Sequence, residues 1–256
     1  MPVYTAAGIV LRRVSLGETD RILTLLTREY GKLGAVAKGS RRAGSRLSGA
    51  TELFTHSRLL LAVGRSLDIV SQCDIREAFP RLRDDLDLLA RATYFCELVD
   101  RFVEEREPNA EVFDLLLSAL YLLQRSPASP DAIVHAFELH LLAERGYAPE
   151  LARCVRCHAA AEPGRLGFSP SLGGVLCPRC RNAARDSIRL EPPAFHLLRA
   201  LIEAEPAALV TIAPEREPAL TVAQCLRCYI RARAERDLRS AEFLDMLRQT
   251  AAAGAG

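Results

Sequence analysis

Two Cys-x-x-Cys pairs constrain this chain more than any other feature. Cys154-Val-Arg-Cys157 is followed by nineteen residues and then by Cys177-Pro-Arg-Cys180. Each short turn brings two sulfurs to one side of the backbone, and two such turns at this separation converge on one tetrahedral ion. Pro163, Gly164, Gly167, Pro170, Gly173, Gly174 and Pro178 supply the bends between and around them. A segment of this composition has little to bury by itself, so one Zn2+ held by Cys154, Cys157, Cys177 and Cys180 is expected, and a metal-free ribbon should be unfolded. Four thiolates close the coordination shell, which marks a structural ion, because a catalytic zinc keeps one position open. A redox pair would instead sit at the start of a helix within a βαβ pattern, and none is visible. His158 adjoins Cys157 but is a poorer ligand than four well-spaced cysteines.

The remaining cysteines read differently. Cys225-Leu-Arg-Cys228 repeats the spacing inside a helical pattern with Val222, Leu226, Tyr229 and Ile230, so core packing is expected there. Cys73 and Cys96 are isolated and are expected to be buried.

With 256 residues, 49% of them apolar and 26% charged, the chain has enough material for a sizeable core divided into two or three modules. No cationic start leads into an apolar stretch, and no apolar run reaches the roughly 18 residues of a membrane span. A cytoplasmic protein with reduced thiols, away from membranes, is the expectation. The net charge of +2 conceals a segregation. Residues 1–80 hold twelve Lys/Arg against seven Asp/Glu, and residues 151–189 hold seven Arg against Glu162 and Asp186. Two basic modules therefore ride on an acidic remainder, the distribution that suits a polyanion bound along a chosen face.

The fold class expected is α+β. Short β-type runs occur at Ala7–Val14, Ile22–Thr27, Leu33–Lys38, His56–Val63 and Leu67–Gln72, with Gly17, Tyr30-Gly31 and Gly64 between them. Five strands in eighty residues suggest a small closed barrel, an OB-fold or an SH3-like one. From Phe79 the period lengthens to that of a helix. Leu82, Leu86, Leu89, Thr93 and Cys96 fall on one stripe, and Val112, Leu116, Ala119, Leu120 and Leu123 on another. A third helix has Ser129 as N-cap, Pro130 at its first position and Gly146 past its end. Further helices are expected from Pro192-Pro193 to about Ala204 and from about Thr221 to Asp237. The domains expected are a barrel over 1–80, a helical domain over 81–250 with the ribbon inserted at about 151–189, and a disordered tail over 251–256.

Lys32, Lys38, Arg41, Arg42 and Arg46 fall within fifteen residues that contain no acid. Lys38-Gly-Ser-Arg-Arg-Ala-Gly-Ser-Arg46 is too rich in Gly and Ser for a regular element, so a flexible cationic loop is expected on the barrel. Such a loop follows phosphates without reading bases. Arg12 and Arg13 extend the same surface. Few aromatics are available for base stacking, since the chain has no Trp, so backbone-dominated binding to single and double strands is expected. Catalytic signatures are missing: no Walker-type loop, no G-x-S-x-G and no H-E-x-x-H is present, and Glu18 with Asp20 lacks the second acidic cluster of a two-metal nuclease. An enzyme is not expected.

Gly8-Ile-Val-Leu-Arg12, Gly17-Glu-Thr-Asp-Arg-Ile22, Thr27-Arg-Glu-Tyr-Gly-Lys32 and Ala37-Lys-Gly-Ser-Arg-Arg42 resemble, in order and spacing, the N-terminal signature of the bacterial recombination mediator family RecO. Tyr94, Glu97-Leu98, Phe137-Glu-Leu-His-Leu-Leu142, Gly146-Tyr-Ala-Pro149 and Arg239-Ser240 continue the resemblance over essentially the whole chain. The ribbon resembles that of the zinc-containing members. The resemblance implies an N-terminal OB-fold, a helical domain carrying the ribbon, and a non-catalytic role in recombinational DNA repair. It further implies binding to single- and double-stranded DNA, annealing of complementary strands and, with RecR, promotion of RecA loading onto strands coated by single-stranded DNA-binding protein (SSB). It also implies recognition of the acidic SSB C-terminal tail by the helical domain, for which Arg227 and Arg231, four apart on one helix face, are the candidates. An adaptor acting mainly through the helical domain is the competing reading.

Overall fold

A computed structural model describes residues 2–125, 127–234, 238, 240, 241, 243, 244 and 246. The Ala/Gly tail and Asp237 lie outside the described residues. The chain forms two compact units, one of residues 1–124 with 239–256 and one of residues 125–238.

The first unit begins with strands β1 (Val3–Leu16), β2 (Asp20–Thr27), β3 (Gly31–Ala37), β4 (His56–Ala62) and β5 (Asp68–Glu77). Alternation of apolar and polar residues turns Leu23, Leu25, Leu33, Ala35, Leu59 and Leu61 into one buried interior, closed by Ala6, Val10 and Val70. The strands close in the order β1-β2-β3-β5-β4, with β1 returning to β4. All pairings are antiparallel except β3 with β5, where Ala35 faces Asp68 and Val36 faces Ile69. This five-stranded Greek-key closure is that of an OB-fold and sets aside the SH3-like alternative.

The β2–β3 turn falls where Thr27-Arg-Glu-Tyr-Gly31 predicts it, with Thr27 Oγ1 donating to the Gly31 carbonyl at 2.8 Å and accepting the Tyr30 amide at 3.2 Å. Gly31 is required there: its φ is +69°, and a Cβ would meet the Glu107 carbonyl oxygen at 2.1 Å. Helices α1 (Pro80–Asp84), α2 (Leu86–Phe102) and α3 (Ala110–Gln124) complete the unit. The expected single stripe from Leu82 to Cys96 is corrected by a break at Asp85. Its carboxylate accepts the amides of Asp87 at 2.9 Å and Leu88 at 3.1 Å, which starts a new helix and leaves Leu86 57% exposed. The buried face of α2 is Leu88, Ala92, Phe95, Cys96 and Val99.

Asp68 organises this unit. It is fully buried and accepts the Tyr4 hydroxyl at 2.5 Å, the Gly64 amide and an Arg106 N–H at 3.1 Å each. Burial raises its pKa, but these donors outweigh burial and hold the carboxyl below its usual range. Asp68→Asn is expected to cost about 1–3 kcal/mol in urea melts near neutral pH, because the oxygen that accepts both Tyr4 and Arg106 becomes an amide nitrogen while the one that accepts the Gly64 amide remains. A depressed folded-state pKa contributes stability that is complete above the unfolded value of about 4 and disappears as pH falls through the folded value. The gap between wild type and Asp68→Asn should therefore narrow below about pH 4. A gap independent of pH would show that the carboxylate charge contributes nothing.

The second unit holds α4 (Pro130–Glu144), β6 (Leu166–Ser169), β7 (Gly174–Leu176), β8 (Ile188–Leu190), α5 (Pro192–Glu203), α6 (Pro206–Leu209) and α7 (Arg216–Arg233). Helix α4 starts after Ser129 with Pro130 at its first position. It ends in a Schellman turn, where Gly146 (φ +77°) bonds to the Ala143 carbonyl and Tyr147 to that of Leu142. Helix α7 starts five residues earlier than expected because Pro218 lies in its first turn, where the missing N–H has no partner to lose. The ribbon sheet has the order β7-β6-β8 and lies between α4 and α5 in sequence. Among the described residues no helix is long and apolar enough to cross a membrane.

Candidate functional site

The four predicted ligands come together. The sulfurs of Cys154, Cys157, Cys177 and Cys180 all lie within 4.8 Å of one another, and those of Cys157 and Cys177 are 3.7 Å apart. Thiolates bound tetrahedrally at about 2.3 Å would be separated by about 3.8 Å, so the cage fits an ion of zinc's size and ligand preference. Each pair sits on a tight turn. The His158 amide closes the first on the Cys154 carbonyl at 2.8 Å, with His158 in the left-handed region (φ +60°). The Cys180 and Arg181 amides close the second on the Cys177 carbonyl at 3.0 Å.

These turns aim backbone N–H groups at sulfur. Burial pushes the Cys154 thiol up, yet the amides of Cys177, Cys157 and Arg156 hold it down at about 6. Cys177 is lowered in the same way, against burial, by the amides of Cys180 and Arg179. Cys180 is pushed up to about 12 by burial and by the three neighbouring thiols. The backbone thus prepares the first sulfur of each turn for ionisation, and a divalent cation is what allows all four to be thiolates at once. The surrounding core is minimal, consisting of Cys154, Cys177 and Leu176 with Val155, Cys180 and Ala184 packed against it. No other group of three or more metal-ligating side chains is present among the described residues. Cys225 is buried in α7 with its thiol raised to about 12 by burial, while Cys228 is exposed on the same helix.

The ribbon is braced by α7. The Arg233 guanidinium lies 3.6 Å from the Tyr229 ring centroid and donates to the Pro170 carbonyl at 2.8 Å. Tyr229 meets Phe168 of β6 edge-on at 5.6 Å and donates its hydroxyl to the Tyr147 carbonyl at 3.0 Å. Arg233→Ala is expected to destabilise the second unit by about 1–2 kcal/mol. Hydrogen exchange should then quicken in β6 and β7, and unchanged exchange there would show that the clamp is idle.

The cationic residues of the barrel divide into paired and unpaired groups. Lys32 is only 11% exposed, bonds to the Asp100 carbonyl and faces the Asp100 carboxylate at 3.2 Å. Arg13 and Arg21 share Glu52. Arg12 is 65% exposed, with Asp100 at 3.9 Å. Lys38, Arg41, Arg42 and Arg46 are exposed and have no carboxylate partner among the described residues.

Where a flexible loop is expected, residues 38–48 form a string of turns. Asp20 pins it, accepting the Gly39 amide and the Thr19 hydroxyl at 2.8 Å each. The Gly39 amide, then the Thr19 hydroxyl, holds the Asp20 carboxyl below its usual range. The Arg41 amide bonds to the Thr19 carbonyl at 2.9 Å and its guanidinium to the Gly17 carbonyl at 3.1 Å. Reading Asp20 from the sequence as an acid beside Glu18 missed its part in holding this turn. Arg227 and Arg231 are exposed on α7, in the second unit.

The structure is that of an OB-type barrel with an exposed cationic turn, followed by helices that carry a four-cysteine ribbon able to hold a metal ion. Recombination protein O N terminal matches residues 1–79, and Recombination protein O C terminal matches residues 83–242. The chain belongs to the RecO family. The DNA repair protein RecO of Symbiobacterium thermophilum is 42% identical over 250 residues, covering 97% of this chain and 99% of that protein. Those of Roseiflexus sp. (42%, covering 96% and 87%) and Pelotomaculum thermopropionicum (41%, covering 100% and 98%) are similarly close.

Proposed function

We propose that this chain is a recombination mediator. It binds single- and double-stranded DNA through the barrel, anneals complementary strands and, with RecR, promotes RecA loading onto SSB-coated single strands in the cytoplasm. The observation that carries this reading is the set of exposed, unpaired cations Lys38, Arg41, Arg42 and Arg46 on turns that hydrogen bonds hold in place. Phosphate contacts from such a set are sequence-independent and need no nucleotide. Arg12 extends the surface, while Lys32 and Arg13 support it through carboxylates they already engage. The ion is Zn2+, in keeping with an all-thiolate tetrahedral cage, and its role is architectural. Arg227 and Arg231 on α7 are the proposed contacts for the acidic SSB tail.

The testing experiment is annealing of complementary oligonucleotides coated with SSB, without nucleotide, across a salt series. Annealing that weakens as salt rises supports the mediator. Wild-type protein that binds SSB but anneals nothing would favour an adaptor working through its helices.

A further inference from the structure

Charge pairing sets the ribbon apart from the helices that flank it in sequence. Of the seven arginines in residues 151–189, Arg189 alone has a carboxylate partner among the described residues, Glu191. Of the two acids in that stretch, Asp186 is turned to internal use: one oxygen accepts the Ser169 hydroxyl and the other the Ser171 amide, both at 2.8 Å. On this surface lies a groove of about 570 Å³. Val155, Leu172, Ala183 and Ala184 give it an apolar lining, Arg156 and Arg185 give it positive charge, and Ser171 and the hydrogen-bonded Asp186 complete it. Leu172, 51% exposed, leaves an aliphatic side chain open to an occupant of the groove.

We propose that this groove is a second DNA contact, carried by the metal ribbon, and that its occupant is a single strand. Arg156 and Arg185 hold phosphates, and Val155 and Leu172 pack against an unstacked base. The inference rests on the DNA-binding reading above and adds a site to it. A repeating polyanion suits unpaired cations spread over the whole module better than an acidic peptide with one charged end. An aliphatic groove further selects a single strand, because a duplex keeps its base faces stacked inside. Arg156 also lies within the first metal turn, so offsetting the anionic thiolate cluster is the rival role for its charge.

The test uses metal-loaded full-length protein and a fluorescent 30-nucleotide oligo-dT, with binding followed by anisotropy against salt. Two phosphate contacts on a single strand contribute about 1.4 to the slope of log K against log salt. Arg156→Ala/Arg185→Ala should lower the slope by that amount and weaken binding about 25-fold at 0.1 M salt, while the double lysine variant keeps the slope. An unchanged slope in an alanine variant that still holds one metal per chain overturns the proposal. A photocrosslinking residue at Leu172 gives an independent reading in a chain whose arginines are intact. Crosslinking to the oligonucleotide is expected, and its absence under saturating DNA overturns the groove whatever the alanine variant does. If wild-type protein binds no DNA, this site and the barrel reading fall together. If it binds and only the barrel variants alter the slope, this inference alone fails.

Discussion

Removing the metal should unfold the ribbon. A mercurial reagent that displaces the four ribbon thiolates should release one ion per chain, with exposed Cys228 reacting in addition, and hydrogen exchange should then show β6, β7 and β8 deprotected. The expected effect is large because Leu176, Val155 and Ala184 are nearly all that packs around the sulfurs, and the strands that carry the buried Leu166, Phe168, Val175 and Leu190 are only three or four residues long. Structural zinc binding is worth about 10–16 kcal/mol in small peptides, far more than three aliphatic side chains supply at about 1–3 kcal/mol each. Cys177→Ser should cut metal affinity by more than the roughly 10–100-fold that follows from altering an outer-shell partner. Cys225→Ser and Cys228→Ser should leave one metal per chain. Affinity should fall with falling pH, since protons compete with the ion for every sulfur. The barrel strands belong to the other compact unit and should keep their protection. A ribbon that retained its exchange protection without metal would sink the architectural role.

The elements that were legible in the sequence are those specified by local chemistry. Alternation gave the barrel strands, and Thr27 with Gly31 gave the hairpin, because both signals act within a few residues. Ser129, Pro130 and Gly146 bounded α4 for the same reason. The stripe through Leu82 and Leu86 misled because period alone does not register that Asp85 reaches forward to cap a new helix. Residue counts gave the basic character of the barrel but could not separate Lys32, held by Asp100, from Arg42, which makes no ion pair among the described residues and has only Asp20 in its neighbourhood. That distinction depends on packing between barrel and helices of one unit. Asp20 had a signal of its own. Pairing Thr27 with Gly31 and stepping back along the hairpin brings Asp20 opposite Lys38, beside the Gly39 amide it accepts. Reading it required the register as well as the strands.

Reversing Arg41, Arg42 and Arg46 to Glu should weaken single-stranded DNA binding by at least about 100-fold at 0.1 M salt and reduce the salt slope by about 2, which is the share of three phosphate contacts. Arg28→Ala should change neither quantity by a comparable amount, because that guanidinium is already bound to Asp114 at 2.8 and 3.1 Å. Set beside Arg41→Ala, which likewise removes one positive charge from the same barrel, Arg28→Ala separates a placed cationic surface from net charge. Asp20→Ala gives the sharper test because two effects oppose each other. Loss of an acid near Lys38 and Arg42 favours DNA electrostatically, and a surface lacking order would bind more tightly. Loss of the Gly39 and Thr19 bonds frees the turns, and the strand must then restore the order that the carboxylate supplied. One surface charge is screened within about 10 Å at this salt, whereas the freed segment carries all four cations, so ordering should dominate. Asp20→Ala should therefore bind roughly three- to tenfold more weakly although its net charge is more favourable. Tighter binding by Asp20→Ala, measured beside the triple variant in one salt series, would mean that the turns act by charge alone.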